Sequence, residues 1–198
     1  MSYSTLGVII LAAGSSSRMG QSKQLLTIDA VPLLRRSVLT AVESEIGEVL
    51  VVLGAQADQH RTIIDDLPIQ VLINSNWHLG MGHSLKYGLQ HLLIEKQSWN
   101  GVVVMVCDQP AVTVTHLKRL VQTHLQQRDK IIASAYQQVA GVPALLPKMF
   151  FDQLLLMEDQ QGARKIIQRE KENVITVALE KGEFDLDTPE DYRKWQQQ

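Results

Sequence analysis

Apolar residues along this chain fall into two alternating kinds of pattern. Residues 7–12, 48–53, 69–73, the run GVVVMVCD (101–108) and the run KIIASAY (130–136) are short, β-rich and apolar on both faces, and each ends at a turn signal. Such runs read as buried parallel strands, because a half-exposed antiparallel strand would alternate apolar with polar residues. Between them, apolar residues recur at intervals of three and four in VPLLRRSVLTAVES (31–44), MGHSLKYGLQHLL (81–93) and VTHLKRLVQTHLQQ (114–127), which predicts amphipathic helices. Alternation of this kind predicts an α/β sheet with helices on both faces, and ligands of such sheets sit beyond the carboxyl ends of the strands.

The last third is less regular. GVPALLPKMF carries prolines at both ends of a short run and reads as an edge strand or a loop. FFDQLLLME and GARKIIQRE read as helices, the second starting just after Gly162, and NVITVALE as a strand. DTPEDYRKWQQQ reads as a terminal helix, with Asp187 or Thr188 as cap, Pro189 in the first turn, and Glu190 and Asp191 complementing the dipole. No repeat or linker divides the chain, so residues 1–198 are expected to form one domain.

Composition narrows the function classes. A hydrophobic share of 45% and a charged share of 20% fit an ordinary globular protein. A net charge of −2 gives no support for a nucleic-acid surface. Cys107 is the single cysteine, so no intrachain disulfide can form and a reducing compartment fits. No apolar run reaches membrane-spanning length, and Gly14 and its serines interrupt anything resembling a signal peptide. The expectation is a cytoplasmic protein with neither nucleic-acid nor membrane partners.

Four segments could carry chemistry. LAAGSSSRMGQSKQLL follows the first strand, where Gly14, Ser15, Ser16 and Ser17 can present backbone N–H groups to a phosphate without crowding it. Arg18 adds a planar fork of donors and Lys23 a compact charge, although a loop with two solvated cations has the same composition. The spacing fits neither the P-loop nor the dinucleotide fingerprint. Asp108 ends the run VVVMVCD, where it is either a turn cap or a carboxylate placed for Mg²⁺. Asp185 and Asp187 alternate in EFDLDTPED, so both project to one side, and Asp187 is either a helix cap or a second metal ligand. NSNWHLGMGHSLKYGL is a polar, glycine-rich entrance to a helix, in which Gly80, Gly82 and Ser84 would let backbone approach a ligand, or an ordinary loop with Trp77 covering the core. The six histidines show no paired metal spacing, and Cys107 reads as buried packing.

With these segments in order, the chain resembles nucleotidyltransferases of the MobA-like superfamily, and most closely the molybdenum cofactor cytidylyltransferase branch. The landmarks are LAAGSSSRMGQSKQLL, NSNWHLGMGHSLKYGL, CDQP, GVPALLP, GARKII and DLDTPEDY, which span residues 11–192. The resemblance implies a three-layer, Rossmann-like nucleotidyltransferase fold with a mostly parallel mixed sheet. It implies Mg²⁺-dependent transfer of CMP from CTP to the terminal phosphate of molybdopterin, with release of pyrophosphate. It places the nucleotide on Leu11, Ala12, Ala13, Gly14, Ser15, Arg18, Lys23 and Asp108, the metal on Asp108 and Asp187, and catalysis on Arg18, Lys23 and Asp108. Asn74, Gly80, Gly82, Ser84, Gly141 and Pro143 fall on the acceptor side, and a client molybdoenzyme is the implied partner. The Ala12–Ala13 pair resembles the cytidylyl branch, where guanylyl enzymes tend to carry two glycines. Val142 departs from the branch, many of whose members have histidine there, and its side chain cannot hydrogen-bond to an acceptor. GTP as donor, a different acceptor, or a non-catalytic nucleotide or molybdopterin carrier are the rival readings.

Overall fold

The structure, a computed structural model, describes residues 6–96 and 98–197. Its elements run in the order β1 (Leu6–Ala12), β2 (Thr27–Ile28), β3 (Val31–Pro32), α1 (Leu33–Ser44), β4 (Glu48–Leu53), α2 (Ala57–Thr62), β5 (Gln70–Ile73) and α3 (Met81–Glu95). They continue with β6 (Gly101–Val106), α4 (Val114–Gln126), β7 (Ile131–Tyr136), β8 (Val139–Pro147), α5 (Phe151–Leu155), α6 (Ala163–Arg169), β9 (Val174–Ala178) and α7 (Pro189–Gln196). Seven strands form one sheet in the order β5-β4-β1-β6-β8-β7-β9, and β2 and β3 make a separate ribbon. The four strands from β5 to β6 are parallel, β8 runs antiparallel to both its neighbours, and β9 is parallel to β7. The protein therefore has an α/β fold built on a mostly parallel mixed sheet, as the sequence pattern predicts.

The central strands are buried on both faces because successive side chains point to opposite helix layers. From β1, Val8 and Ile10 pack with Leu34 and Val38 of α1 and Leu117 and Leu120 of α4. Ile9 and Leu11 face the other way, onto Leu85 and Leu89 of α3, Phe151 of α5 and Ile166 of α6. Among the described residues, no helix is long and apolar enough to cross a membrane.

Three segments differ from the sequence expectation. The GVPALLP run is neither an edge nor a loop but the interior strand β8. It tolerates its prolines because Pro143 lies in a bulge: Ala133 pairs with Ala144 and Ser134 with Gly141, so Val142 and Pro143 drop out of that ladder. Pro147 closes the ladder with β6, whose last pair is Gly101 with Pro147. The predicted strand at 69–73 is shorter and lies at an edge, with Ile73 exposed, since β5 (Gln70–Ile73) pairs only with β4. The first predicted helix begins two residues late, because Val31 and Pro32 pair with Ile28 and Thr27. Of the two caps the sequence offers for α7, the structure uses Thr188, in a reciprocal capping box with Asp191.

Candidate active site

Parallel β1, β4 and β6 present their carboxyl ends on one side of the sheet, with Ala12 level with Leu53 and Leu11 level with Val106. A cleft of about 250 Å³ opens there. One wall is the end of β1 and the loop after it, from Leu11 to Ser15, with Lys23 and Gln24, and the floor runs from Val106 at the end of β6 through Cys107 to Asp108. Trp77, His78, Gly80, Met81 and Ser84 form the opposite wall. Seven of the eight residues proposed for the nucleotide therefore line one cleft.

Arg18, the eighth, and Asp187 reach this place through a buried anchor. Leu186 is fully buried with Met19, Leu26 and Leu33, and its N–H donates to the Asp108 carbonyl at 3.0 Å. That bond seats the C-terminal acidic segment directly against the end of β6. Asp187, released from capping duty by Thr188, accepts from Arg18 on Oδ2 at 2.8 Å and from the Lys23 ammonium on Oδ1 at 2.9 Å. Lys23 also donates to Asp108 Oδ2. One ammonium thus bridges two carboxylates that lie 79 residues apart in sequence, from 108 to 187.

The electrostatics follow from that bridge. Burial works against the charge on Lys23, but contact with Asp108 and the hydrogen bond to Asp187 outweigh it and hold the ammonium above its ordinary range. Burial would push Asp187 up, yet the hydrogen bonds and charges of Lys23 and Arg18 bring it below the usual carboxylate range. Asp185 has no such partner. Burial, then the charges of Asp108 and Asp187, raise it from 3.8 to about 6, against a partial offset from Gln109 and Lys23. Cys107 is buried, and its thiol is pushed up to about 12. It is a packing residue with no thiolate to offer at neutral pH.

The raised Asp185 makes a stability prediction. Its carboxyl is neutral in both folded and unfolded chains well below pH 3.8, so the group contributes nothing there. Between 3.8 and about 6 the unfolded chain has lost the proton that the folded one keeps, so stability falls with rising pH. Above 6 the full cost of holding this carboxylate beside Asp108 and Asp187 is present. Asp185→Asn is therefore expected to raise the melting temperature at pH 8 in metal-free buffer, and to lose that advantage as the pH is lowered through 6 toward 3.8. An equal shift at pH 8 and pH 4 would show that charge is not the cause.

Residues proposed for the acceptor separate into three groups. Gly80 and Ser84 line the cleft. Gly80 has φ +133°, and a Cβ there would lie 2.3 Å from the Asp159 carbonyl, so only glycine fits this helix entrance. Asn74 stands behind the wall, donating to His83 Nδ1 at 3.1 Å and Ser84 Oγ at 3.0 Å and accepting from the Asn76 amide at 3.0 Å. Its polar atoms are engaged in shaping the loop. Gly82, Gly141 and Pro143 do not line the cleft. Gly82 is packed against the Glu158 and Gln161 carbonyls, and Gly141 lies under the Tyr136 hydroxyl in β8. The antiparallel course of β8 nevertheless brings its bulge to the same end of the sheet as Asp108, where Gln109 Nε2 donates to Tyr136 Oη at 3.4 Å.

Mg²⁺ fits this set of donors. Asp108 Oδ1 is buried without a hydrogen-bond partner, and Asp108 and Asp187 already share one cation, the Lys23 ammonium. Among the described residues no three His, Cys, Asp or Glu side chains gather into a full metal cage. Mg²⁺ is commonly held by one or two carboxylates, with water and substrate phosphates completing its shell.

The sequence matches the MobA-like NTP transferase domain over residues 8–174. It is 27% identical to the purine catabolism protein PucB of Bacillus subtilis over 201 residues, covering 93% of this chain and 92% of that protein. The crystal structure of Rv0371c from Mycobacterium tuberculosis superposes with a TM-score of 0.85 over 100% of both chains at 24% identity. The same protein in complex with manganese gives a TM-score of 0.79 at 22% identity, covering 96% of this chain and 97% of that one. Molybdopterin-guanine dinucleotide biosynthesis protein A from Archaeoglobus fulgidus superposes at 0.67 with 17% identity, covering 95% of each chain.

Proposed function

This chain belongs to the MobA-like NTP transferase family of nucleotidyltransferases, and on that premise we propose that it transfers CMP from CTP to the terminal phosphate of molybdopterin within a single domain. An oxygen of the acceptor phosphate attacks the α-phosphorus of CTP, the bond between the α-phosphorus and the bridging oxygen breaks, and pyrophosphate leaves with that oxygen. No covalent intermediate with the protein is needed, so catalysis rests on positioning and charge neutralisation.

The observation that carries this reading is the convergence of Arg18, Lys23, Asp108 and Asp187 at one cleft walled by the glycine-containing loop. A triphosphate lying along residues 11–15 would draw Lys23 and Arg18 onto its oxygens, where their charge stabilises the leaving pyrophosphate. Asp108 and Asp187 would hold Mg²⁺, which when bound screens the phosphate charges from the incoming anionic acceptor. Gly80 and Ser84 would border the acceptor, with Asn74 setting their loop. The Ala12–Ala13 pair supports CTP, and the order of landmarks from residue 11 to residue 192 supports a molybdopterin acceptor.

The test is pyrophosphate release with each of the four nucleoside triphosphates, with and without molybdopterin, in the presence of Mg²⁺. Release that requires both CTP and molybdopterin is the expected result. Release with GTP in place of CTP would move the chain to the guanylyl chemistry. Tight nucleotide binding with no pyrophosphate under any combination would make it a carrier.

A further inference from the structure

Gln24 lies beside Lys23 in the cleft wall, is 1% exposed, and uses every hydrogen-bonding position it has. Its Nε2 donates to the carbonyls of Ala12 at 3.1 Å and Gly14 at 2.8 Å. Its Oε1 accepts from the hydroxyls of Ser16 and Ser22, each at 2.9 Å. The orientation of the amide is fixed by its partners, since carbonyls can only accept and each hydroxyl has a proton to give. Because the Ser22 proton goes to Gln24, the ring nitrogen of His60 at 2.7 Å must donate to Ser22 Oγ. Burial lowers His60 from its ordinary pKa, which keeps one ring nitrogen free of a proton. A directed chain of donors thus runs from His60 through Ser22 and Gln24 to the loop backbone.

The loop needs such a brace. Ser16 has φ +56°, a left-handed conformation that non-glycine residues adopt only when their surroundings impose it. Ser16 is held there by its bond to Gln24 and by the Lys23 amide, which donates to Ser16 Oγ at 3.0 Å. Binding the Ala12 and Gly14 carbonyls to Gln24 also keeps their negative ends off an incoming triphosphate. Since each peptide is planar and trans, the amides of Ala13 and Ser15 are fixed pointing away from Gln24.

We propose that Gln24 is a positioning residue that sets nucleoside triphosphate affinity by holding the Ala12–Ser16 loop in its binding shape. The inference rests on the nucleotide-transfer reading above, but it does not depend on which base is bound, because the contacts it organises are backbone contacts. Gln24→Met keeps the length and removes all four hydrogen bonds, leaving two carbonyls unpaired, so the Kd for the preferred triphosphate with Mg²⁺, measured calorimetrically without acceptor, is expected to rise about 10-fold or more. Under turnover the nucleotide KM should rise in step, while kcat at saturating nucleotide and the acceptor KM change by no more than about twofold. Gln24→Glu, which retains the acceptor half and loses the donor half, should bind no better than Gln24→Met.

A melting temperature that falls with both substrate constants rising together would assign Gln24 to the fold alone and overturn the proposal. So would an unchanged triphosphate Kd in folded Gln24→Met. Should that variant not fold, Ser16→Ala, which removes one donor to Gln24 and the acceptor for the Lys23 amide, carries the same test. Wild-type protein that binds no nucleoside triphosphate would overturn the transfer reading with it, whereas normal wild-type binding with an indifferent Gln24 variant would overturn this inference alone.

Discussion

Asp108→Ala is expected to lower kcat by about three orders of magnitude, the scale at which a principal electrostatic stabiliser acts, with little change in melting temperature. The carboxylate lies two residues past β6 in the cleft lining, and its Oδ1 is buried with no hydrogen-bond partner, as a metal-binding oxygen would be. Stability should be spared for two reasons. Lys23 retains Asp187 as a partner, and the segment carrying Asp187 is tied to residue 108 through the backbone carbonyl, which alanine keeps. Asp108→Asn should behave similarly, because an amide matches the shape of the carboxylate but neither neutralises Lys23 nor attracts a divalent ion. Near-normal Mg²⁺-dependent turnover by either variant would remove Asp108 from the mechanism.

Lys23→Met is expected to show the opposite balance, losing stability as well as nucleotide affinity. Two carboxylates share the Lys23 ammonium and the Lys23 side chain is only 17% exposed, so its removal leaves them facing each other with Asp185 nearby. Breaking a largely buried pair by deleting one partner costs about 3 kcal/mol. Mg²⁺ should recover much of that cost, since a divalent ion replaces the missing charge and stabilises the folded state by mass action. Thermal melts in EDTA and in millimolar Mg²⁺ read this directly. Wild type should respond weakly to Mg²⁺ alone, because its own ammonium already sits between the carboxylates, and the variant strongly. Equal responses would show that the lysine and the ion do not share a site.

Much of the fold was legible in the sequence because the central strands are buried on both faces and leave unbroken apolar runs. Where the signal failed, other forces had taken over. The prolines of β8 read as breakers, but one sits in a bulge and the other at the end of a ladder, which only the tertiary pairing reveals. Helix α2, with the sequence ADQHRT, has no apolar stripe and gave no periodic signal. At the site, the residue types of Arg18, Lys23, Asp108 and Asp187 were readable, but only the family resemblance, not the residues themselves, implied that they meet. Their meeting depends on Leu186 joining the cluster of Met19, Leu26 and Leu33, a contact across the whole chain. Asp187 was ambiguous between cap and ligand until Thr188 took the capping bond. Gln24 carried no signal beyond its place next to Lys23, because a buried glutamine with four partners looks in sequence like any polar surface residue.

The most direct measurement is a crystal structure of the protein with CTP and Mg²⁺. The triphosphate is expected along residues 11–15, with Arg18 and the Lys23 ammonium moved from the carboxylates onto phosphate oxygens and the metal bound by Asp108 and Asp187. A triphosphate seated elsewhere, or one bound in the cleft with Lys23 still bridging Asp108 and Asp187 and no metal between them, would contradict this arrangement.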